Sequence, residues 1–175
     1  MENILPFKIF EAFDAKLPYR VDHEHRRDVE KMIPVSALTV YKTTQDPIVY
    51  IYEFKYKDAW EFHFNLKSLD VGYASSPKFK RAEYHKIIAT LVSLMIERLQ
   101  KNPTDTYRVY GVDKKMSNLY IRVLKYIAEK EKIGPLIVEE VKNFKSPTGE
   151  VYSTVYEIRK DTRTLKVKDM SENYL

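Results

Sequence analysis

The sequence predicts an α+β domain, a mostly antiparallel mixed sheet with two main helices, preceded by an N-terminal helical arm. Three observations carry that expectation. Residues 48–67 alternate aromatic and polar side chains on both sides of Lys57-Asp58-Ala59, the pattern of a β-hairpin. From Tyr84 to Leu99 apolar residues recur at helical spacing, and Tyr120, Val123, Leu124 and Ile127 make a second such stripe. Short β-rich runs follow each stripe, punctuated by Gly134-Pro135 and Ser146-Pro147-Thr148-Gly149.

Residues 1–34 read as an amphipathic arm that docks on a neighbour or, equally, as helices packed on their own domain. Phe7, Phe10, Phe13 and Leu17 share one helical face between Pro6 and Pro18, in a segment too short to be stable without a surface to lie on. These four are the candidate partner-binding residues. A charged helix over about residues 22–32 follows and stops before Pro34.

A single domain is expected over residues 35–160. Val35 to Thr44, Ile48 to Tyr56 and Trp60 to Lys67 read as strands. A three-residue loop at 57–59 sets Tyr56 against Trp60, Phe54 against Phe62, Tyr52 against Phe64 and Tyr50 against Leu66, giving one aromatic face. On the opposite face Lys55 then meets Glu61, and Glu53 meets His63. A long helix over 80–101 ends at Asn102-Pro103; Thr106 to Val112 is a buried strand, and a second helix covers 115–131. Leu136 to Lys145 and Val151 to Lys160 form a terminal hairpin, and residues 161–175 are a polar tail.

Composition narrows the function classes. The 175 residues carry 30 Lys and Arg against 25 Asp and Glu, a net charge of +5 spread over a mixed surface. Fourteen tyrosines and eight phenylalanines suit strands and protein interfaces. The absence of cysteine excludes disulfides, thiol catalysis and Cys-type zinc sites. No apolar run is long enough to span a membrane, and Met1-Glu2-Asn3 does not open a secretory signal, so a non-secreted, non-membrane protein is expected. There is no Walker A, Gly-x-Gly-x-x-Gly, Gly-x-Ser-x-Gly or acidic calcium loop, and all four glycines stand alone.

Among the histidines, His23 and His25 belong to a charged helix and His85 extends a basic patch. His63 reads as half of a polar cross-strand pair with Glu53; the alternative is a general base whose tautomer that carboxylate fixes. The loop from Gly72 to Arg81 has the charge of a phosphate site in Lys78, Lys80 and Arg81, but only one glycine with which to wrap one. Lys78, Lys80, Arg81 and Lys86, with Phe79 and Tyr84 between them, could meet a nucleic-acid backbone. A basic helix start with its aromatics in the core is the preferred interpretation.

The order of strand, aromatic hairpin, loop, long helix, strand, helix near an asparagine and closing hairpin resembles the GCN5-related N-acetyltransferase (GNAT) family over roughly residues 35–160. That resemblance implies a coenzyme A site at Ser76, Lys78, Lys80 and Arg81. It further implies a general acid at Tyr120, in Ser117-Asn118-Leu119-Tyr120, or at Tyr126. The family's Arg/Gln-x-x-Gly-x-Gly/Ala loop is not present in Ser75-Ser76-Pro77-Lys78-Phe79-Lys80-Arg81. Pro6-Phe7-Lys8-Ile9-Phe10-Glu11-Ala12-Phe13 resembles the opening of phage-encoded proteins that keep such a core without the coenzyme loop. What the resemblance implies first is a non-enzymatic structural protein without cofactor, in a virion or the host cytoplasm, whose partners are other proteins of the assembly. An acyl-CoA-dependent N-acyltransferase is the alternative. A nucleic-acid module using Lys78, Lys80, Arg81 and Arg108 is the third.

Overall fold

The computed structural model describes residues 16–31, 35–65, 80–111, 113–147, 149, 151–152 and 154–163. Their architecture is α+β. Strands β1 (Tyr19–Val21), β2 (Ser36–Thr43), β3 (Tyr50–Tyr56), β4 (Ala59–Asn65), β5 (Tyr107–Val109), β6 (Leu136–Val141) and β9 (Val155–Lys160) make one seven-stranded sheet in the order β1-β2-β3-β4-β5-β9-β6. All neighbours are antiparallel except β4 and β5, which are parallel. Helix α1 (His23–Glu30) follows β1, α2 (Arg81–Lys101) joins β4 to β5, and α3 (Lys114–Lys130) joins β5 to β6.

The register of β3 on β4 differs from the sequence expectation by one residue. Lys57 and Asp58 both adopt left-handed conformations (φ 46° and 61°), forming a two-residue turn of the type whose twist matches a hairpin. Tyr56 therefore faces Ala59, Phe54 faces Glu61 and Tyr52 faces His63, while Glu53 faces Phe62. Because side chains alternate, that one-residue shift exchanges the partners of every residue. The single aromatic ladder is replaced by two half-ladders: Tyr52 and Phe54 pack on one face, Phe62 and Phe64 on the other.

Both faces of the sheet are covered. Helices α2 and α3 lie on one, where Ile88, Val92, Leu99, Val123 and Leu124 pack with Tyr107 and Ile158. On the other, Val29 of α1 closes over Leu38, Val40, Tyr52 and Phe54. Ser117, fully buried at the start of α3, accepts from the Gly111 amide (2.9 Å) and donates to the Thr154 carbonyl (3.0 Å). It ties the end of β5 to the start of β9.

Of the two readings of residues 1–34, the described part fits packing on the chain's own domain. Tyr19, Arg20 and Val21 pair with Thr43, Lys42 and Tyr41, and α1 packs on the sheet, so this stretch belongs to the domain rather than to an arm. The apolar spacing of residues 7–17 concealed the three-residue strand. Phe7, Phe10 and Phe13 lie outside the described residues, as does the tail from residue 164. The terminal hairpin is also divided. β6 and β9 join the main sheet, whereas β7 (Phe144–Lys145) and β8 (Val151–Tyr152) pair separately beyond Asn143, whose φ of 57° breaks the strand.

Helix α2 adds one charged tie. Glu53, nearly buried beneath it, receives the Arg98 guanidinium at 3.0 Å, and Arg98 also donates to the Tyr41 hydroxyl. Burial pushes the Glu53 carboxyl above its ordinary 4.5, and Arg98 partly offsets that. A carboxyl raised in the folded state stabilises fully at low pH and loses that contribution as pH rises through its folded value.

Two outcomes follow from the turn and the tie. Replacing Lys57-Asp58 by Asn-Gly puts residues that accept left-handed backbone at both turn positions and should raise stability by about 1 kcal/mol, a Tm gain of about 2–4 °C in thermal unfolding. Arg98→Met leaves Glu53 buried without its cation and should cost about 2 kcal/mol near pH 7. That deficit should shrink towards pH 4 as Glu53 protonates, as urea midpoints across the range will measure.

Candidate functional site

The parallel pair β4–β5 is where the sheet changes connection, and such switch points are where open sheets place ligands. Pairing is confined to Trp60 with Tyr107 and Glu61 with Arg108. Past those residues the seam is spanned by side chains, the His63 Nε2 and the Tyr110 hydroxyl standing 3.0 Å apart.

At the α2 end of this region, the residues expected to hold a coenzyme divide. Ser76 and Lys78 lie outside the described residues; Lys80 and Arg81 are exposed at the helix start. Glu83 turns back so that its carboxylate accepts the Lys80 amide at 3.0 Å. The chain's own anion thus stands at a helix N-terminus, the position that would favour a bound phosphate. His85, one turn on, has its pKa lowered by burial and by Arg81.

The two candidate general acids lie on α3. Tyr120 packs between both apolar clusters under α2, and burial pushes its hydroxyl far above the ordinary tyrosine value, with Tyr84 adding to the shift. A phenol held that way parts with a proton reluctantly, which suits packing better than acid catalysis. Tyr126 is half-buried against the main core. Asn118 accepts the Tyr156 hydroxyl at 2.7 Å and so anchors α3 to β9. Leu17, the one expected partner-binding residue that is described, is 4% exposed in the chain's own core among Tyr41, Ile87 and Leu91.

A different cluster assembles on the seam's other face. Glu61 is fully buried, 3.7 Å from Arg108 Nη1 and 3.9 Å from His63 Nε2. His63 is therefore beside Glu61 and not Glu53, because the two-residue turn sends Glu53 to the α2 face. Arg108 is 4% exposed and donates to the Tyr56 and Lys57 carbonyls and to Glu157, while the Phe144 ring covers its guanidinium at 4.4 Å. So held, Arg108 has no face to offer a nucleic-acid phosphate. Tyr110 packs against Phe144 and Tyr152 of the β7–β8 hairpin.

Glu61 and Tyr110 escaped sequence reasoning. Asp58 in Tyr56-Lys57-Asp58-Ala59 was the available signal, since Asp tolerates the left-handed conformation a two-residue turn requires. Among the described residues, no three His, Cys, Asp or Glu side chains converge as metal ligands, and no helix is long and apolar enough to cross a membrane. No family model, curated protein or solved structure matches the chain.

The seam's energetics are open to test. Arg108→Met strands Glu61 without its permanent cation and should cost about 3–5 kcal/mol. Glu61→Gln removes the buried charge at constant shape and should change stability by less than about 1 kcal/mol. Denaturant midpoints of the two variants should differ in that order.

Proposed function

We propose that this chain is a non-enzymatic interaction protein, a component of a bacteriophage particle or of its assembly, built on a GNAT-like scaffold. The order of strand, hairpin, long helix, strand, helix and closing strands, with one parallel pair at the crossover, supports the scaffold. The Glu83 carboxylate at the start of α2 carries the non-enzymatic reading: an anion already at that helix N-terminus disfavours a coenzyme pyrophosphate there. The desolvated Tyr120 hydroxyl agrees with it, since the candidate acid serves the core. Partners are other proteins of the assembly, met through residues 1–15 upstream of Leu17, in the virion or the host cytoplasm.

One observation favours a second reading, an acyl-CoA-dependent N-acyltransferase. Glu61, His63 and Tyr110 form a carboxylate, imidazole and phenol series at the seam, groups able to take and return the proton of an acceptor amine.

Calorimetry with acetyl-CoA separates the two. The interaction reading expects no heat at high ligand concentration; saturable heat would transfer the assignment to acyl transfer. Deleting residues 1–15, which spares the buried Leu17, should leave the thermal transition in place and abolish incorporation into particles. Normal incorporation of that deletion would overturn the proposal.

A further inference from the structure

The seam holds a carboxylate with a choice of partners. Glu61 is fully buried, and neither of its oxygens accepts a hydrogen bond among the described residues. Its neighbours Arg108 and His63 stand at 3.7 and 3.9 Å, beyond hydrogen-bond reach. Arg108 is committed to two carbonyls and Glu157. His63 is not so fixed: its Nε2, 3.9 Å from Glu61, is 3.0 Å from the Tyr110 hydroxyl, and its side chain is a quarter exposed, so protons from solvent reach it.

We propose that protonation of His63 moves its hydrogen bond from Tyr110 to Glu61 and thereby unlatches the β7–β8 hairpin from the seam. Histidine is the side chain that changes charge between pH 5 and 8. An imidazolium Nε2–H gains more from a buried carboxylate than from a neutral phenol, and the new bond satisfies an oxygen that otherwise has none. The surroundings leave Glu61 as the acceptor for that charge. From β3, His63 faces Tyr52 across the ladder and Phe54 stacked at 5.2 Å; from the end of β5 it faces Tyr110. Arg108 lies on the far side of Glu61 with its own carboxylate, Glu157, and the Tyr52 hydroxyl is joined to His25 of α1 at 3.0 Å.

Release of Tyr110 reaches the hairpin directly. Tyr152 and Phe144 rest on the Tyr110 ring at 4.5 and 5.2 Å, and β7 and β8 contribute only two residues each. Two-stranded pairings of that size depend on what they pack against. The latch is independent of whether the chain is an interaction protein or an acyltransferase.

Amide hydrogen exchange of the full chain at about pH 5 and about pH 8, corrected for intrinsic chemistry, tests it. Exchanging a neutral hydrogen bond for a charge-assisted one changes the open population about tenfold. The amides of Phe144, Lys145 and Tyr152 should accordingly open about tenfold more often at the lower pH, while those of α2 do not change. Glu61→Gln and His63→Gln should each abolish the difference, and Tyr110→Phe should leave the hairpin open at both values. Equal protection of the hairpin at the two pH values, or a response that survives His63→Gln, would overturn the latch. The wild-type chain supplies a readout that needs no variant to fold: His63 and Tyr110 ring resonances should titrate with one midpoint, and independent titration refutes the coupling.

Discussion

Two residues with positive φ, Lys57 and Asp58, decide which way every side chain of β3 and β4 points. A third loop residue would have exchanged the partners along the whole hairpin. With the turn as it is, Glu53 lies under α2 and Glu61 lies on the opposite face, paired with Arg108 in the parallel seam. The hairpin occupies the middle of the sheet, with β2 on one side and β5 on the other, so its register is imposed on both neighbours.

Each carboxylate drawn into the sheet this way has an arginine. Arg98 reaches Glu53 from α2, and Arg108 stands beside Glu61 from the neighbouring strand. The two pairs are built differently. Glu53 accepts a direct charge-assisted hydrogen bond, whereas Glu61 has only longer-range attraction and is left dependent on its surroundings. Burial of this kind contributes little net stability, because desolvation offsets the attraction. Its consequence is sensitivity: changes of charge near Glu61 are felt in a low-dielectric seam whose backbone pairing ends at Glu61 and Arg108.

The functional reading follows from the same geography. The start of the helix that follows β4 is a natural ligand position. Lys80 and Arg81 supply positive charge there, yet Glu83 returns to the helix start and Tyr120 packs half-buried against the core. On the other face, Glu61, His63, Tyr110 and Arg108 gather beside the β7–β8 pair.

Hydrophobic periodicity in the sequence was sufficient for the helices over 81–101 and 114–130, for the strands flanking them and for the α+β class, because burial on one face imposes a period that the spacing of apolar residues reveals. Strand β1 was not legible: three residues, Tyr19-Arg20-Val21, acquire strand character from β2 and not from their own pattern. Nor was the cluster of Glu61, His63, Tyr110 and Arg108, whose members approach through the β3–β4 turn and a crossover of more than forty residues. Periodicity along the chain records which residues are buried, but register and strand order decide against whom, and those are settled by turn geometry and packing between distant segments.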